Sequence, residues 1–265
     1  MNGGRIQHPL AGIRAKVERA DETIGCLELE ITAFLQQGPG PIVFNGDVRF
    51  FAEQVRAHAR RAVPARFSIL AGEVAHHLRS SMDYIVWELA ASGPEVHGSS
   101  ALEFPIFDKK PMEKGSRARF ERKLAGVPYR GQQLIESLQP YHRTEAILTG
   151  PLNDPLMVIH DLDRIDKHRQ LAVAICGFAI KTSVMAGIHL MLQRYAGRAE
   201  DEIAALAATL DPNTTLSPQV AFLEFGGRKI GSPQEFGRSG ILRGLPGFLK
   251  SDVFGVGHGH APCFQ

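Results

Sequence analysis

The stretch ARFSILAGEVAHHLRSSMDYIVWELAAS, residues 65–92, decides the fold because it carries an apolar stripe and a polar face at helical spacing. Pro64 suits the start of a helix, and Gly93-Pro94 suits its end. Apolar residues that recur every three or four positions predict a long helix with one face in a core. These residues are Leu70, Val74, Leu78, Met82, Ile85 and Leu89.

The other face of this predicted helix is polar. Charged side chains are costly to bury without partners, so charged groups clustered on one face indicate either a site or an ion-pair network. Trp87 points to the same side, so we expect this face to be partly covered. Its residues are Glu73, His76, His77, Arg79, Ser80, Asp83 and Tyr84.

Residues 154–170, DPLMVIHDLDRIDKHRQ, predict a second helix of the same kind. Asp154 can cap it, and Pro155 suits its first position. His160, Asp163 and Lys167 share a polar stripe on this helix. Two amphipathic helices packed in one domain could bring their polar stripes together. The apolar face of the second helix consists of Val158, Ile159, Leu162 and Ile165.

The segment at residues 8–37 predicts another long helix, because its apolar residues are separated by alternating steps of four and three. A stripe this narrow suits a partner helix, either within the chain or in a homodimer. Gly-Pro pairs at residues 38–41 end the helix. Asn45-Gly46 then stands between apolar runs, which favours an early hairpin with its second strand in residues 48–63. The spacing of Phe51, Val55 and Ala59 fits a helix in the same residues, and we favour the strand.

The C-terminal half changes from a helical period to apolar runs that are typical of strands. Helices followed by a strand cluster predict an α+β fold, in which long antiparallel helices pack together with a small antiparallel sheet in the C-terminal half. We expect one domain over residues 1–265, with 1–170 mainly helical, 171–227 mainly strand and 228–265 an irregular tail. Shorter helices are expected near 116–125, 130–138 and 200–210, and strands near 171–180, 184–195 and 220–225.

The composition excludes several classes of protein. Hydrophobic residues make up 44% of the chain, which is enough for a sizeable core. A net charge of +2 does not indicate a nucleic-acid or membrane surface. The cysteines form no CxxC pair, which excludes zinc-ribbon and thioredoxin-like sites. Residues 1–9 carry no signal core and the longest apolar run, 171–180, is too short to span a membrane, so we expect a cytoplasmic protein.

Three interpretations of the polar stripes stay open, and the first is a metal site. Glu73 and His76 have the spacing that places a carboxylate and an imidazole on adjacent turns of one helix. His160 from the second helix could complete the ligand set. The cofactor would then be a divalent transition metal.

The second interpretation is acid–base chemistry. His77 or His160 would exchange a proton with the substrate, because imidazole titrates near neutral pH. Arg79 and Lys167 would hold an anionic group such as a phosphate. The third interpretation is structural, because the same residue types form surface pairs or interior ion-pair networks between helices without doing chemistry.

The leading functional prediction is a small-molecule or nucleotide-directed enzyme whose polar site lies between the helices at 65–92 and 154–170. In this prediction the catalytic residues are Glu73, His77 and His160, and the metal ligands, if a metal binds, are Glu73, His76 and His160. The residues that bind the substrate are Arg79, Asp83, Asp163 and Lys167.

At these residues the sequence resembles a large uncharacterised family of bacterial proteins. Members of that family carry a string similar to L-R-S-x-L-D and, later in the chain, a D-K-H-R string. The corresponding residues here are Leu78-Arg79-Ser80-Ser81-Met82-Asp83 and Asp166-Lys167-His168-Arg169. Phe104-Pro105-Ile106 and Leu138-Gln139-Pro140-Tyr141 also match the family. The resemblance covers roughly residues 60–172 and implies no particular activity.

The first string is also similar to the helical HEPN superfamily, many of whose members cut RNA without a metal. Their signature is an Arg followed by a polar residue and, four to six residues after the Arg, a His. Arg79 fits the signature, but Tyr84 stands where the His would be. The alternative prediction is therefore a non-catalytic HEPN-like module that binds RNA or a protein partner. Its basic strip would consist of Arg56, Arg60, Arg61 and Arg66.

Overall fold

The computed structural model describes residues 10–92, 101–142, 154–180 and 187–222, together with 224–225 and 228–229. The α-helices in these parts of the chain are α1 (Ala11–Gln36), α2 (Val48–Ala59), α3 (Ala65–Ala91), α4 (Lys114–Lys123), α5 (Tyr129–Ser137), α6 (Pro155–Asp166) and α7 (Glu200–Ala207). The strands are β1 (Ile42–Phe44), β2 (Val173–Ile180), β3 (Gly187–Met191), β4 (Thr214–Phe222), β5 (Glu224–Phe225) and β6 (Arg228–Lys229). Single turns of 3-10 helix lie at Pro140–His142 and Leu192–Tyr195.

Four of the strands form one antiparallel sheet in the order β1–β4–β2–β3. In its central pair, Val173 of β2 lies opposite Phe222 of β4. β1 lies at the edge of the sheet, where Ile42 is opposite Leu216. β5 and β6 pair with each other separately. The predicted α+β fold is confirmed, although one strand of the sheet comes from the N-terminal half.

The long helices α1 and α3 pack side by side in opposite directions. Glu30 near the end of α1 accepts a hydrogen bond from Arg66 at the start of α3, at 2.7 Å. Lys16 near the start of α1 lies 4.9 Å from the ring centre of Tyr84 near the end of α3. The stripe of α1 that the predicted homodimer would use is therefore already packed within the chain. Its buried residues are Ile13, Val17, Ala20, Thr23, Ile24 and Leu27.

Two cores hold these elements together. The larger core joins α1, α3 and α6, and the residues at its centre include Val74, Leu78, Met82, Leu156 and Ile159. The second core joins α2, β1 and α7 to the sheet. Burial of these apolar side chains is the main favourable contribution to folding. Because α3 and α6 both contribute to the larger core, the two predicted polar stripes lie on helices that pack together.

The early hairpin was wrongly predicted, because residues 48–63 begin with a helix and not a strand. The carboxylate of Asp47 accepts hydrogen bonds from the backbone N–H groups of Arg49 and Phe50, at 2.9 and 3.2 Å, and so caps α2. Phe51 and Val55 then face the second core at helical spacing. Asn45-Gly46 thus connects a strand to a helix cap, and β1 pairs with β4 instead.

Other predictions from the sequence have simple outcomes. None of the helices in the described part of the chain is long and apolar enough to cross a lipid bilayer. The strand predicted at 184–195 is shorter, because a 3-10 turn follows β3 at Leu192. Apart from 228–229, the predicted tail at 228–265 lies outside the described residues, as do residues 8 and 9 of the first predicted helix.

Candidate functional site

Three successive levels connect α3 to α6, and we call them the α3–α6 ladder. At the first level the Asp166 carboxyl group packs against the backbone of Gly72, and at the second His76 is hydrogen-bonded to Asp163. At the third level the charge of Arg79 acts on His160. Positions rise by three or four along α3 while they fall by three along α6, so the two helices are antiparallel. Residues at this spacing share one face of a helix. The two predicted polar stripes therefore meet at the hydrogen bond between His76 and Asp163.

The middle level is a histidine–carboxylate pair. Asp163 is almost fully buried, with 5% of its side chain exposed, and its Oδ1 lies 3.3 Å from Nδ1 of His76. Lys167 donates a hydrogen bond to the other oxygen, Oδ2, at 2.6 Å. A carboxylate beside Nδ1 favours the tautomer with its proton on Nδ1, which leaves Nε2 as an acceptor. Because 55% of the His76 side chain is exposed, a ligand could reach this imidazole from solvent.

The upper level of the ladder contains a buried guanidinium group. The Nη2 atom of Arg79 lies 3.0 Å from Oδ1 of Asp83 and 3.3 Å from Oε1 of Glu103. Nη1 of Arg79 is also buried, and no hydrogen-bond acceptor for it lies within the described residues. A buried donor without a partner is costly, so a ligand that supplies an acceptor for Nη1 would bind favourably here.

Asp83 ties a neighbouring segment to this arginine. Its Oδ1 accepts a hydrogen bond from the backbone N–H of Phe104, at 2.8 Å. Burial raises the pKa of Asp83 above its ordinary value, although the charge of Arg79 and the N–H of Phe104 oppose this shift. Phe104 is itself buried in the larger core, so the segment at 101–107 is fixed beside α3.

That segment, which we call the strap (residues 101–107), carries Glu103 to the site. Oε1 of Glu103 contacts both Arg79 and Nζ of Lys123, the last residue of α4. Burial alone would raise the pKa of Glu103, but the hydrogen bond and charge of Lys123 and the charge of Arg79 outweigh it and lower the pKa. Glu103 is therefore an ionised bridge between two cations.

His160 completes the upper level. It is half-buried, and burial lowers the pKa of its imidazole, as do the charges of Arg79 and Lys123, whereas Asp161 and Glu103 act in the opposite direction. A lowered pKa keeps this imidazole neutral at physiological pH. A neutral imidazole can donate a hydrogen bond to a bound ligand or accept one from it.

Two of the predicted catalytic residues, Glu73 and His77, are not among the side chains that form the His76–Asp163 and Lys167–Asp163 pairs. Glu73 is exposed. The surroundings of His77 include α1. Burial is the main cause of its lowered pKa, and the charge of Lys16 on α1 is the next. Among the described residues, no three or more His, Cys, Asp or Glu side chains are arranged to hold a metal ion. The predicted ligand set of Glu73, His76 and His160 therefore does not converge.

Comparison with known proteins adds nothing to this geometry. No protein-family model, curated protein or solved structure matches the chain. The resemblances drawn from the LRSSMD and DKHR strings stay predictions. The site must therefore be interpreted from its own chemistry.

The basic strip that a HEPN-like module would need is interrupted. Arg66 is bound to Glu30, and Arg61 is half-buried, with its Cζ 4.0 Å from the ring centre of Phe34. Arg56 is half-buried, and only Arg60 is exposed without an ion pair within the described residues. A phosphate backbone would find few free cations on this surface.

Sequence reasoning missed Glu103 and Lys123. Glu103 directly precedes the Phe104-Pro105-Ile106 string, which was the available signal that this segment has a fixed position. Lys123 is one of several basic residues on α4, and nothing in the sequence distinguishes it from the others. With these two residues included, the site contains three features within the described residues. They are the His76–Asp163 pair, the Arg79 guanidinium group whose Nη1 lacks an acceptor, and the Glu103 carboxylate that bridges Arg79 and Lys123.

Proposed function

We propose that the chain is an enzyme that performs acid–base chemistry on a small molecule or nucleotide with an anionic group. His76 is the acid–base residue, Asp163 positions it, and Arg79 binds the anionic group. The observation that carries this proposal is the placement of an oriented histidine one helical turn from a buried arginine whose Nη1 has no acceptor within the described residues.

The His76–Asp163 pair has the features of a general base. A buried carboxylate at Nδ1 holds the imidazole in one orientation and stabilises the protonated ring that forms when Nε2 takes a proton. Lys167 holds the Asp163 carboxyl group in place through its hydrogen bond to Oδ2. Lys167, which the sequence predicts to bind substrate, is thus a support for the pair in this proposal.

Arg79 supplies the reason to expect an anionic substrate. Guanidinium groups bind phosphate and carboxylate oxygens through two parallel N–H donors. His76 and Arg79 are three positions apart on α3 and so lie on the same side of the helix. A substrate whose anionic group binds Arg79 would place its neighbouring atoms near Nε2 of His76. The interrupted basic strip favours a small ligand over a nucleic-acid backbone.

The proposal is tested by turnover in the presence of EDTA, which suppresses contaminating metal-dependent phosphatases. The substrates are a phosphate monoester, a phosphate diester and ATP. His76→Asn keeps an N–H donor near the position of Nδ1 and removes Nε2, and Lys167 still pairs with Asp163, so the fold should be retained. We expect its kcat to fall by about 100-fold or more, as for the loss of a general base.

A matched control is His142→Gln, because His142 is also paired with a carboxylate, Glu136, but lies on the 3-10 turn after α5. It should retain wild-type kcat. Asp163→Asn should lower kcat and displace the pH–rate profile, which a residue with a purely structural role would not do. Wild-type protein that turns over none of the three substrates, or His76→Asn at wild-type rate, would contradict the proposal.

A further inference from the structure

Glu103 is bound in an unusual way for a surface carboxylate. Its side chain is 41% exposed, whereas its two cationic partners, Arg79 and Lys123, have only 6% and 18% of their side chains exposed. The anion therefore reaches inward from the strap to two cations that the protein itself buries. Buried cations need compensating anions, and Glu103 pairs with both of these cations, while Asp83 of α3 also pairs with Arg79.

Glu103 fills this place incompletely. It uses a single oxygen, Oε1, for both Nη2 of Arg79 and Nζ of Lys123, and it leaves Nη1 of Arg79 without an acceptor among the described residues. A tetrahedral phosphate has enough oxygens to contact Nη1, Nη2 and Nζ together. His160, on which the charge of Arg79 acts, could donate a further hydrogen bond.

The charges at this point permit the exchange, although a phosphate dianion in place of Glu103 would leave one net negative charge. With Glu103 in place, the cations Arg79 and Lys123 are balanced by the carboxylates of Asp83 and Glu103. When Glu103 leaves, one net positive charge remains next to Asp83, and a phosphate dianion can bind there. The Asp83 carboxylate would oppose the ligand, since it shares Nη2 with Glu103.

We propose that Arg79 and Lys123 form a phosphate-binding site and that Glu103 is an internal occupant that the phosphate group of a ligand displaces. This inference rests on the proposed function in one respect, which is that the molecule carrying the phosphate group is the substrate. The site itself requires no turnover. Glu103 then acts as a selectivity device, because a ligand binds only if its anionic group competes successfully with a tethered carboxylate.

The experiment is calorimetric titration of inorganic phosphate into wild-type protein and into Glu103→Gln. Glutamine has the size of glutamate and no charge, so the competing anion is removed and the strap is kept. We expect Kd for phosphate to fall about tenfold, which corresponds to ~1.4 kcal/mol. Acetate, with two oxygens, should show a smaller gain.

The matched control is Glu121→Gln on α4, two residues before Lys123, where the carboxylate is exposed and paired with Arg117 at 2.9 Å. It should bind phosphate as wild type does. Adding Lys123→Met to Glu103→Gln should abolish the gain. Unchanged phosphate affinity in Glu103→Gln, or a gain that survives Lys123→Met, overturns the site.

These outcomes are separate from the test of the proposed function. If His76→Asn loses turnover but Glu103→Gln binds phosphate no more tightly, only the displacement of Glu103 fails. If phosphate binding tightens but no substrate is turned over, the binding site stands and the enzyme proposal fails.

Discussion

The carboxyl group of Asp166 lies directly against the backbone of Gly72, where a Cβ at position 72 would overlap its carbon and both oxygens. The absence of a side chain at Gly72 therefore lets the last residue of α6 pack directly on α3. The next level of the ladder is the His76–Asp163 hydrogen bond. The close approach at Gly72 thus helps to set the geometry of the candidate acid–base pair.

Gly72→Ala should destabilise the protein by about 1–3 kcal/mol relative to Gly25→Ala, because the new methyl group forces the Asp166 side chain or α6 to move. The free energy of unfolding from chemical denaturation measures this loss. Gly25→Ala is the matched control, because Gly25 is also inside a long helix but a Cβ there would meet nothing within 4 Å. That variant should be more stable by roughly 0.5–1 kcal/mol, as alanine favours helix.

A double-mutant cycle locates the cause of the Gly72→Ala effect. In an Asp166→Ala background the overlapping carboxyl group is absent, so Gly72→Ala should cost at least ~1 kcal/mol less than it does in the wild type. An equal cost in both backgrounds would show that Asp166 is not the group that position 72 must accommodate.

His58 should make the stability of the fold depend on pH. Its Nε2 lies 2.7 Å from the carbonyl oxygen of Gly40 and so donates to it, while its buried Nδ1 has no partner within the described residues. Burial lowers the pKa of His58 below its ordinary value of 6.5, the Gly40 bond partly opposes this, and Arg61 lowers it further. The unfolded chain therefore binds a proton below pH 6.5 that the folded chain resists.

The stability that His58 contributes is complete above pH 6.5 and declines as the pH falls from there through the lowered folded pKa. Glutamine can place a donor near the position of Nε2 and does not titrate. Between about pH 7.5 and about pH 5.5, the free energy of unfolding should therefore fall less in His58→Gln than in the wild type, as measured by urea denaturation. His160→Gln should flatten the profile further, since burial also lowers the pKa of His160. A His58→Gln profile parallel to wild type would contradict this account.

Gln139 should be essential for the position of the strap. It is fully buried, accepts a hydrogen bond from the N–H of Phe107 at 3.1 Å and donates to the carbonyl oxygens of Pro105 and Ile135 at 2.8 and 3.1 Å. Gln139→Leu leaves buried backbone groups without partners and should lower the free energy of unfolding by about 3 kcal/mol. Hydrogen exchange at the amide of Phe107 should accelerate.

The comparison variant for this prediction is Gln132→Leu, because Gln132 is half-buried and makes one such bond, to the carbonyl oxygen of Val127 at 2.8 Å. Its loss should be about 1 kcal/mol, without a change in exchange at Phe107. Equal losses in the two variants would mean that the strap does not depend on Gln139.

The long helices could be predicted because their signals are local. The stripes and proline starts of residues 65–92 and 154–170 correspond to α3 and α6, although α6 ends at Asp166. Residues 48–63 were wrongly predicted because the Asn-Gly turn was given more weight than the helical spacing of Phe51 and Val55, and because the cap at Asp47 was overlooked. Which partner β1 takes is a long-range question that no local pattern could answer.

The site could be predicted only in part, for the same reason. Helical spacing placed His76, Arg79, His160 and Asp163 on faces that could meet, and His76 and Asp163 do form a hydrogen bond between the two helices. Spacing could not show that His77 turns to α1, because its neighbours there depend on how two distant helices pack. Glu103 lies in an extended segment whose position is set by Asp83 and Gln139, so no periodic pattern pointed to it.

The pairing of Ile42 with Leu216 has a consequence for folding while the chain is being synthesised on the ribosome. Helices α1 and α3 can associate soon after both emerge, but β1 must wait for β4. At roughly 5–20 residues per second, that delay is about 10–30 s. During this time Phe51 and Val55 have neither the sheet nor α7 to cover them. We therefore expect a nascent-chain chaperone to bind at β1 and α2, and slower translation of the segment between β1 and β4 to increase aggregation.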